Sequence, residues 1–378
     1  MNETHQPAEQ SPTIPGHVKC VIIIMYSVIT MIAVGGNGIV CYLVYAYKRL
    51  HTVPNYLIVN LASSDLIMAT FCIPFTIVAN VLNYWPFGAA MCPIVLYVQV
   101  MAVFLNAYTL VAMSIDRYIV IVHPFKNRIT IRQTFFVISG IWVLSLSIPL
   151  PTLFKARILY YSNTSGQCLE MWEDNTWQYK YSLVIMTLHY FGPVVLLIFS
   201  YSKIGYNIWV KNIQGDVRNK RRLQLAEAKQ RMIKMMITVV VFYALCWLPL
   251  HVITIVGDNH PSIYNQLHGP ILWHCFHWLA MSNSCYNPII YIWMSPKFRT
   301  GLHLALQKCT RRRRSPCDSE ENISQHVRVV LPQTELLQRQ IAHRKAREKW
   351  KRNRHLQDKF DVLLSRNYML PWKINSDT

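Results

Sequence analysis

The chain has 378 residues, of which 52% are hydrophobic and 15% are charged. Because soluble domains average about 25% charged residues, this balance argues against a single water-soluble globule. Lys and Arg number 38 against 18 Asp and Glu, and the net charge of +20 would suit a nucleic acid or a membrane surface as partner. The ten cysteines are too few and too scattered for a disulfide scaffold and lack the spacing of a structural zinc site.

Seven apolar stretches follow one another along the chain. Each is long enough to cross a bilayer as a helix, which needs about 20 residues, and none alternates as the strands of a membrane barrel do. We therefore predict an all-α membrane protein, a bundle of seven transmembrane helices with a short amphipathic eighth helix. The predicted spans are Cys20–Tyr47, Tyr56–Leu82, Ala90–Val122, Phe135–Phe154, Ser182–Val210, Met232–Val256 and Ile271–Met294.

The distribution of basic residues predicts the orientation, because Lys and Arg collect in cytoplasmic loops. With the amino terminus outside, all but four of the 38 Lys and Arg residues fall on the inner side. The net positive charge is then explained by the Lys and Arg of the cytoplasmic loops and tail, and we expect no nucleic-acid partner. The predicted parts are an extracellular segment 1–17, the seven-helix domain with its eighth helix over 18–308, and a cytoplasmic tail 309–378 that is largely disordered because it is charged and poor in apolar residues.

Three positions are candidates for modification. Asn2 and Asn163 each begin an N-x-S/T glycosylation sequence on the predicted outer side. Cys309 lies next to Arg311–Arg314 and could be palmitoylated beside anionic lipid, with a free cysteine near a solvated basic run as the alternative.

Polar residues within a span are costly, so their positions indicate function. The spans carry short motifs built around polar residues, prolines or tryptophan, which are, in chain order, Gly36-Asn37, Leu61-Ala62-Ser63-Ser64-Asp65, Asp116-Arg117-Tyr118, Trp142, Pro193 with Tyr201, Cys246-Trp247-Leu248-Pro249 and Asn287-Pro288-Ile289-Ile290-Tyr291. This ordered set, one motif per span, resembles the rhodopsin-like family of G-protein-coupled receptors over about residues 18–308. The resemblance implies a plasma-membrane receptor without enzymatic activity, with a heterotrimeric G protein, arrestin and receptor kinases as its partners.

The resemblance also implies an activation switch. Its residues would be Asp116, Arg117, Tyr118, Tyr201, Trp247, Pro249, Asn287, Pro288 and Tyr291. The three prolines remove backbone donors from their helices, so bending there costs little. In relatives, movement about the kink of the sixth span opens the inner end to the G protein. The resemblance further implies a disulfide between Cys92 and Cys168, on the side where such bonds persist.

A carboxylate in the middle of a span would cost several kcal/mol unless it is protonated, hydrogen-bonded or paired. Asp65 is such a group. The resemblance implies a sodium ion held there by Asp65, Asn106, Ser284 and Asn287, although Asn106 stands where the family usually has serine. A hydrogen-bonded polar core without an ion is the alternative.

Single residues exclude two ligand classes of the family. Met281 stands where a retinal-binding lysine would be, and Gln99 stands where amine receptors have aspartate. The remaining candidate ligand-binding residues are Thr76, Gln99, His189 and His277, which can project inward, and Asp258 near the outer rim.

This arrangement, with Trp85-Pro86-Phe87-Gly88 in the first outer loop, resembles the neuropeptide Y receptors and their RYamide and RFamide relatives. The resemblance implies a peptide ending in Arg-Phe-amide or Arg-Tyr-amide, with Asp258 pairing with its arginine and Thr76 and Gln99 binding the amide. Against these roles, Asp258 could be a solvated loop carboxylate, and His189 and His277 could be core histidines.

Two other functions stay open. Tachykinin-like receptors share much of the same framework, so another peptide ligand is an alternative. A seven-span transporter is a more distant one, but the sequence lacks repeated halves with matching interruptions, a phosphate-binding loop, an HExxH motif and a Gly-x-Ser-x-Gly elbow.

Overall fold

The computed structural model describes residues 15–123, 128–162, 165–214, 220–259 and 269–311. Of residues 175, 209–214, 220–229, 258–259, 269–270 and 308–311, it describes the backbone alone. The main elements in chain order are α1 Gly16–Ala46, α2 Val53–Leu82, α3 Met91–Val122, α4 Ile131–Ser147, β1 Ala156–Tyr160, β2 Gly166–Glu170, α5 Asn175–Gln214, α6 Lys220–Asn259, α7 Gly269–Met294 and α8 Pro296–Arg311. A short 3-10 helix, Lys48–Leu50, lies between α1 and α2, and α2 and α5 each contain one π-helical turn, Met68–Cys72 and Thr187–Phe191. A short helical turn, Leu150–Lys155, joins α4 to β1.

Within these described ranges, six helical segments are long and apolar enough to cross a membrane: α1, α2, α3, α5, α6, and α4 together with the turn that follows it, Ile131–Lys155. The seventh, α7, has 26 residues and buries a polar run that includes Ser282, Asn283 and Asn287. Many outward-facing side chains of the other helices are large and apolar, such as Ile24, Phe136 and Val195, as expected for surfaces that face lipid. The predicted seven-helix bundle is confirmed.

Helix α3 lies at the centre of the bundle and packs against α2, α4 and α5, while α1 packs against α2 and α7, and α6 against α7. A buried polar link joins three of these helices. The Trp142 indole of α4 donates to Asn60 Oδ1 at 2.9 Å, and the Asn60 amide of α2 donates to Thr109 Oγ1 of α3 at 2.7 Å. Trp142 thus fixes the position of α4 against the two helices behind it.

Two helix prolines leave backbone carbonyls without their usual donors, and neighbouring helices supply the replacements. Pro288 has no N–H for the carbonyl of Ser284, four residues earlier, and the Asn37 amide of α1 donates to that carbonyl at 2.9 Å. Pro193 likewise leaves the carbonyl of His189, which accepts from the Tyr243 hydroxyl of α6 at 2.6 Å. Both helices are therefore tied to a neighbour at their weakest point.

Gly36 allows α1 to approach α7 closely. A Cβ atom built at this position would lie 2.6 Å from Cγ of Pro288, whereas Gly35 and Gly38 have nothing within 4 Å of theirs. Gly36 thus lies against Pro288, and its neighbour Asn37 bonds to the Ser284 carbonyl that the same proline leaves without a backbone donor.

Several boundaries differ from the prediction. Helix α4 begins at Ile131, because Thr130 and Gln133 form a capping box, and α5 begins at Asn175 behind the cap Asp174. Both starting turns are polar, so a search for apolar runs places the helix starts too late. The hairpin β1–β2 was not predicted, and α8 is described up to Arg311, three residues beyond the predicted boundary at residue 308.

Candidate functional site

One end of the bundle carries a disulfide between α3 and the hairpin. Cys92 and Cys168 are bonded, with their Cα atoms 5.6 Å apart, which confirms the predicted pairing. Closing a loop of 76 residues contributes about 4 kcal/mol in the chain-entropy model. The backbone N–H of Trp85 also donates to the carbonyl of Gly166 at 2.8 Å. The hairpin is therefore fixed beside the loop that follows α2.

A chain of polar contacts links three helices inside the bundle. The amide nitrogen of Gln99 lies 3.5 Å from Nε2 of His277, and Nδ1 of His277 lies 2.7 Å from the hydroxyl of Tyr26. The Tyr26 hydroxyl lies 3.4 Å from the carbonyl of His274. One assignment satisfies all three contacts: Gln99 donates to His277, His277 donates to Tyr26, and Tyr26 donates to the carbonyl.

This assignment determines which atoms of Gln99, His277 and Tyr26 remain available to a ligand. The contact between His277 and Tyr26 is short, whereas those of Gln99 with His277 and of Tyr26 with the carbonyl are long, so the bond between His277 and Tyr26 is the strongest of the three. The side-chain oxygen of Gln99 makes no hydrogen bond within the described residues, and it is a neutral acceptor. His277 is 3% exposed and stacks on Trp273, with ring centres 4.7 Å apart, so its orientation is fixed from two sides.

A second group gathers around His189 of α5. Its ring centre lies 4.9 Å from that of His251 on α6 and 5.5 Å from that of Phe104 on α3. The His251 ring is stacked at 5.8 Å on Trp247, one helical turn away. Aromatic walls thus enclose two imidazoles. Within the part of the chain that the structure describes, no hydrogen bond joins this group to Gln99 or His277.

Two other predicted ligand residues, Thr76 and Asp258, have no described contact with these groups. Thr76 is half-buried on α2 and makes no side-chain hydrogen bond within the described residues. Asp258 lies in the last turn of α6, but its side chain is outside the described part. Gln99 and His277 are therefore the predicted ligand residues that come together.

Sequence reasoning missed Tyr26 and His251. Both are polar side chains inside apolar spans, and that signal could have marked them. Tyr26 is separated from its partner His277 by 251 positions, so the contact itself could not be read from the sequence. His251 follows Pro249 by two residues and lies one turn from Trp247, which places it beside the predicted switch.

Asp65 accepts hydrogen bonds at both carboxylate oxygens. The Asn106 amide donates to Oδ1 at 2.9 Å, and the Asn287 amide donates to Oδ2 at 2.8 Å. The oxygen Oδ1 of Asn106 is buried without a partner among the described residues. Carboxylate and amide oxygens suit a hard cation, so these residues fit a sodium ion, although two amides already satisfy the carboxylate.

The opposite end of the bundle carries Arg117, which is buried. Its Nη2 lies 2.6 Å from Oδ2 of Asp116, and its Nη1 lies 3.1 Å from the sulfur of Met232 on α6. Tyr291 is also buried, stacks on Phe298 of α8 at 6.0 Å, and its hydroxyl has no hydrogen-bond partner among the described residues. Arg117 is therefore ion-paired with its own neighbour Asp116 and contacts α6 through Met232.

Three other predictions cannot be compared with the structure. Asn2 and Asn163 lie outside the described residues, as does the side chain of Cys309. The predicted tail lies outside them from residue 312 onward.

Within the described ranges, no group of three or more His, Cys, Asp or Glu side chains could hold a metal ion.

Comparison with known proteins gives consistent matches. The profile of the family "7 transmembrane receptor (rhodopsin family)" matches residues 36–291. The chain is 40% identical over 309 residues to the RYamide receptor of Drosophila melanogaster, covering 80% of this chain and 66% of that receptor. It is 38% identical to the RYamide receptor of Tribolium castaneum, covering 79% of this chain and 83% of that receptor.

More distant relatives bear a different name. The human substance-K receptor is 35% identical over 287 residues, covering 75% of this chain and 72% of that receptor. The identity to this receptor lies only a few per cent below the identities to the RYamide receptors, so receptors with different names share most of the matching framework.

Proposed function

The chain belongs to the rhodopsin family of seven-transmembrane receptors, and we propose that it binds a neuropeptide ending in Arg-Tyr-amide or Arg-Phe-amide. Binding of the peptide activates a heterotrimeric G protein at the other end of the bundle. The family consists of receptors, and we propose no enzymatic activity for this member. The Drosophila and Tribolium relatives, both named RYamide receptors, support this choice of ligand.

The observation that carries the proposal is the side-chain oxygen of Gln99, which makes no hydrogen bond within the described residues. It is a neutral acceptor in a partly buried position, and the contacts of Gln99 with His277 and of His277 with Tyr26 hold it there. A carboxamide terminus offers N–H donors to such an oxygen, whereas a free carboxylate offers none and would repel it. An amidated peptide therefore suits this group better than an acidic one.

The arginine of the peptide needs an anionic partner, and we assign that role to Asp258. A charge-assisted contact in a partly dry site is among the stronger polar interactions. Thr76 would contribute a further hydroxyl to the amide. His189 lies with His251 beside Trp247, where a deeply inserted side chain of the peptide would reach.

The proposed path of the signal runs along the helices to Arg117. In the present arrangement Arg117 pairs with Asp116 and contacts Met232, and we take this arrangement as the resting state. Bending at Pro249 would move α6 and its Met232 away from Arg117, so that Tyr201 and Tyr291 could contact it. We place this end in the cytoplasm and the amino terminus outside the plasma membrane, with glycosylation at Asn2 and Asn163 and palmitoylation at Cys309.

Other partners complete the proposal. Arrestin and receptor kinases would act at the Arg117 end and the tail. A sodium ion would be held by Asp65, the free oxygen of Asn106, Ser284 and Asn287, where its charge would stabilise the ionised carboxylate in the resting state.

The pairing of Asp258 with the peptide arginine is tested by charge reversal. Asp258→Arg should abolish the calcium or cyclic-nucleotide response of cells to an Arg-Tyr-amide peptide, because two like charges would face each other. A peptide with glutamate in place of that arginine should recover part of the response. Glu173→Arg is the matched control, since Glu173 is an exposed carboxylate and its reversal should leave the dose response unchanged. An unaltered response of Asp258→Arg would refute the pairing.

A tachykinin-type peptide is the second candidate, because substance-K receptors are 34–36% identical to this chain. A response to tachykinins that exceeds the response to Arg-Tyr-amide peptides, and that Asp258→Arg leaves intact, would favour this alternative.

A further inference from the structure

We propose that His189 and His251 form a two-imidazole binding site for a divalent transition-metal ion, with Zn²⁺ as the natural probe. The two histidines belong to different helices, α5 and α6, and are 6% and 5% exposed. The argument for this site rests on the two side chains and their surroundings and does not use the identity of the proposed peptide.

The hydrogen bond of His189 fixes which of its nitrogens is free. Nδ1 lies 2.6 Å from the carbonyl oxygen of Ile185. A carbonyl only accepts, so Nδ1 carries the proton and Nε2 presents a lone pair. Metal-binding histidines in proteins usually donate their other N–H to a carbonyl or carboxylate in this way, which orients the ring and makes the free nitrogen more basic.

His251 supplies the second free nitrogen. Its Nε2 is buried and has no hydrogen-bond partner among the described residues. Leaving such a group unsatisfied costs about 1–3 kcal/mol, so its position calls for a partner, and the described part of the chain provides none. The Trp247 indole N–H, one turn away, is also buried and unpartnered within the described residues, and a water molecule completing the metal coordination could accept from it.

The separation of the two rings suits a shared metal ion. Two imidazoles bound at tetrahedral angles, each with a metal–nitrogen distance of about 2.0–2.1 Å, place their ring centres about 5 Å apart. The observed distance is 4.9 Å, with the ring planes inclined at 65°. Imidazole nitrogens prefer Zn²⁺, Cu²⁺ and Ni²⁺ over Mg²⁺ and Ca²⁺.

Two protein ligands are fewer than the three or four of catalytic and structural zinc sites. The remaining coordination positions are left to water, and a divalent charge inside the bundle carries a desolvation cost. We therefore expect weak binding, in the micromolar range. A bound ion would join α5 to α6 beside the kink at Pro249 and would stabilise their present packing.

The test is thermal unfolding of the purified full chain in detergent, with Zn²⁺ added, with Mg²⁺ added, or with a chelator. Zn²⁺ should raise the Tm by a few degrees, and Mg²⁺ should not. His189→Ala and His251→Ala should each remove the Zn²⁺ effect. His303→Ala should retain it, because His303 is exposed on α8. A Tm that Zn²⁺ leaves unchanged, or a shift that survives both substitutions, would overturn the proposal and leave a bridging water as the partner of these nitrogens.

A second pair of variants keeps the test decisive if an alanine variant does not fold. His189→Cys and His251→Cys replace an imidazole by a thiol, which also binds zinc and is softer. Each should retain a Zn²⁺-dependent rise in Tm and gain a larger rise with Cd²⁺ than the unmodified chain. Cys variants that respond to neither ion would contradict the site.

Discussion

At the scale of single residues, Tyr26 links the candidate ligand site to α1. It is 3% exposed, and its hydroxyl is the partner of His277 Nδ1 at 2.7 Å. His277 in turn contacts Gln99, the side chain to which we assign the peptide amide. Tyr26 lies behind the site and does not itself present a free group, so we regard it as a positioning residue.

Tyr26→Phe should therefore weaken peptide binding without unfolding the receptor. The substitution leaves His277 Nδ1 buried and unpaired, at a cost of about 1–3 kcal/mol, and releases the orientation of Gln99. We expect the EC50 of an amidated peptide to rise about tenfold, since 1.4 kcal/mol corresponds to a factor of ten. The preference for the amidated peptide over its free acid should fall as well, which a general loss of stability would not cause. Tyr45→Phe is the control, because Tyr45 is 85% exposed on the same helix, and equal dose responses of both variants would contradict the role.

Sequence reasoning reached part of this site. Gln99 and His277 were predicted because they are polar side chains that can project inward from their spans, and they lie close together. Tyr26 and His251 were missed because tyrosine and histidine in an apolar span also occur as ordinary core residues. Tyr26 differs from such residues in its hydrogen bond to His277 of α7. His251 differs in its buried Nε2, which has no partner among the described residues. Both features depend on three-dimensional packing.

At the scale of elements, helices that contain proline depend on polar side chains of their neighbours. Asn37 and Tyr243 bond to the two carbonyls that Pro288 and Pro193 leave free. The prolines were predicted from sequence as places where bending costs little. The sequence gives no direct sign of the compensating donors, because they come from different helices.

Tyr243→Phe should lower the stability of the receptor. The carbonyl of His189 would lose its donor inside the bundle, which we expect to cost about 1 kcal/mol and to lower the Tm by about 2–4 °C. Thermal unfolding in detergent measures this change. Tyr206→Phe serves as the control, since Tyr206 is exposed on α5, and a Tm loss no greater than that of the control would show that the bond contributes little.

Gly36→Ala should also destabilise the bundle, through sterics. The added Cβ would lie 2.6 Å from Pro288 Cγ, so α1 and α7 must move apart, at a cost of about 1–3 kcal/mol. Gly35→Ala is the matched control, because its Cβ would meet nothing within 4 Å and alanine favours the helix by about 1 kcal/mol. The predicted order of Tm values is Gly36→Ala below the unmodified chain and Gly35→Ala equal to it or above it. The reverse order would refute the close contact.

At the scale of the whole molecule, the seven-helix architecture could be predicted because each span is long, apolar and marked by one polar motif. The disulfide pair followed from the family resemblance. The polar starting turns of α4 and α5 and the hairpin β1–β2 were not predicted, because they carry little apolar periodicity. The hairpin also requires Gly166, where a Cβ would lie 2.8 Å from the carbonyl oxygen of Leu159 across the strand pair, and such a constraint is visible only in the paired strands.

The central claim is that peptide binding at one end of this bundle activates a G protein at the end that carries Arg117. The most direct test is nucleotide exchange on purified heterotrimeric G protein added to membranes that contain the full chain. We predict that an Arg-Tyr-amide or Arg-Phe-amide peptide accelerates exchange in a dose-dependent manner and that its free-acid form is much weaker. Exchange that stays at the basal rate with these peptides and with tachykinins, for every G-protein class tried, would contradict the account.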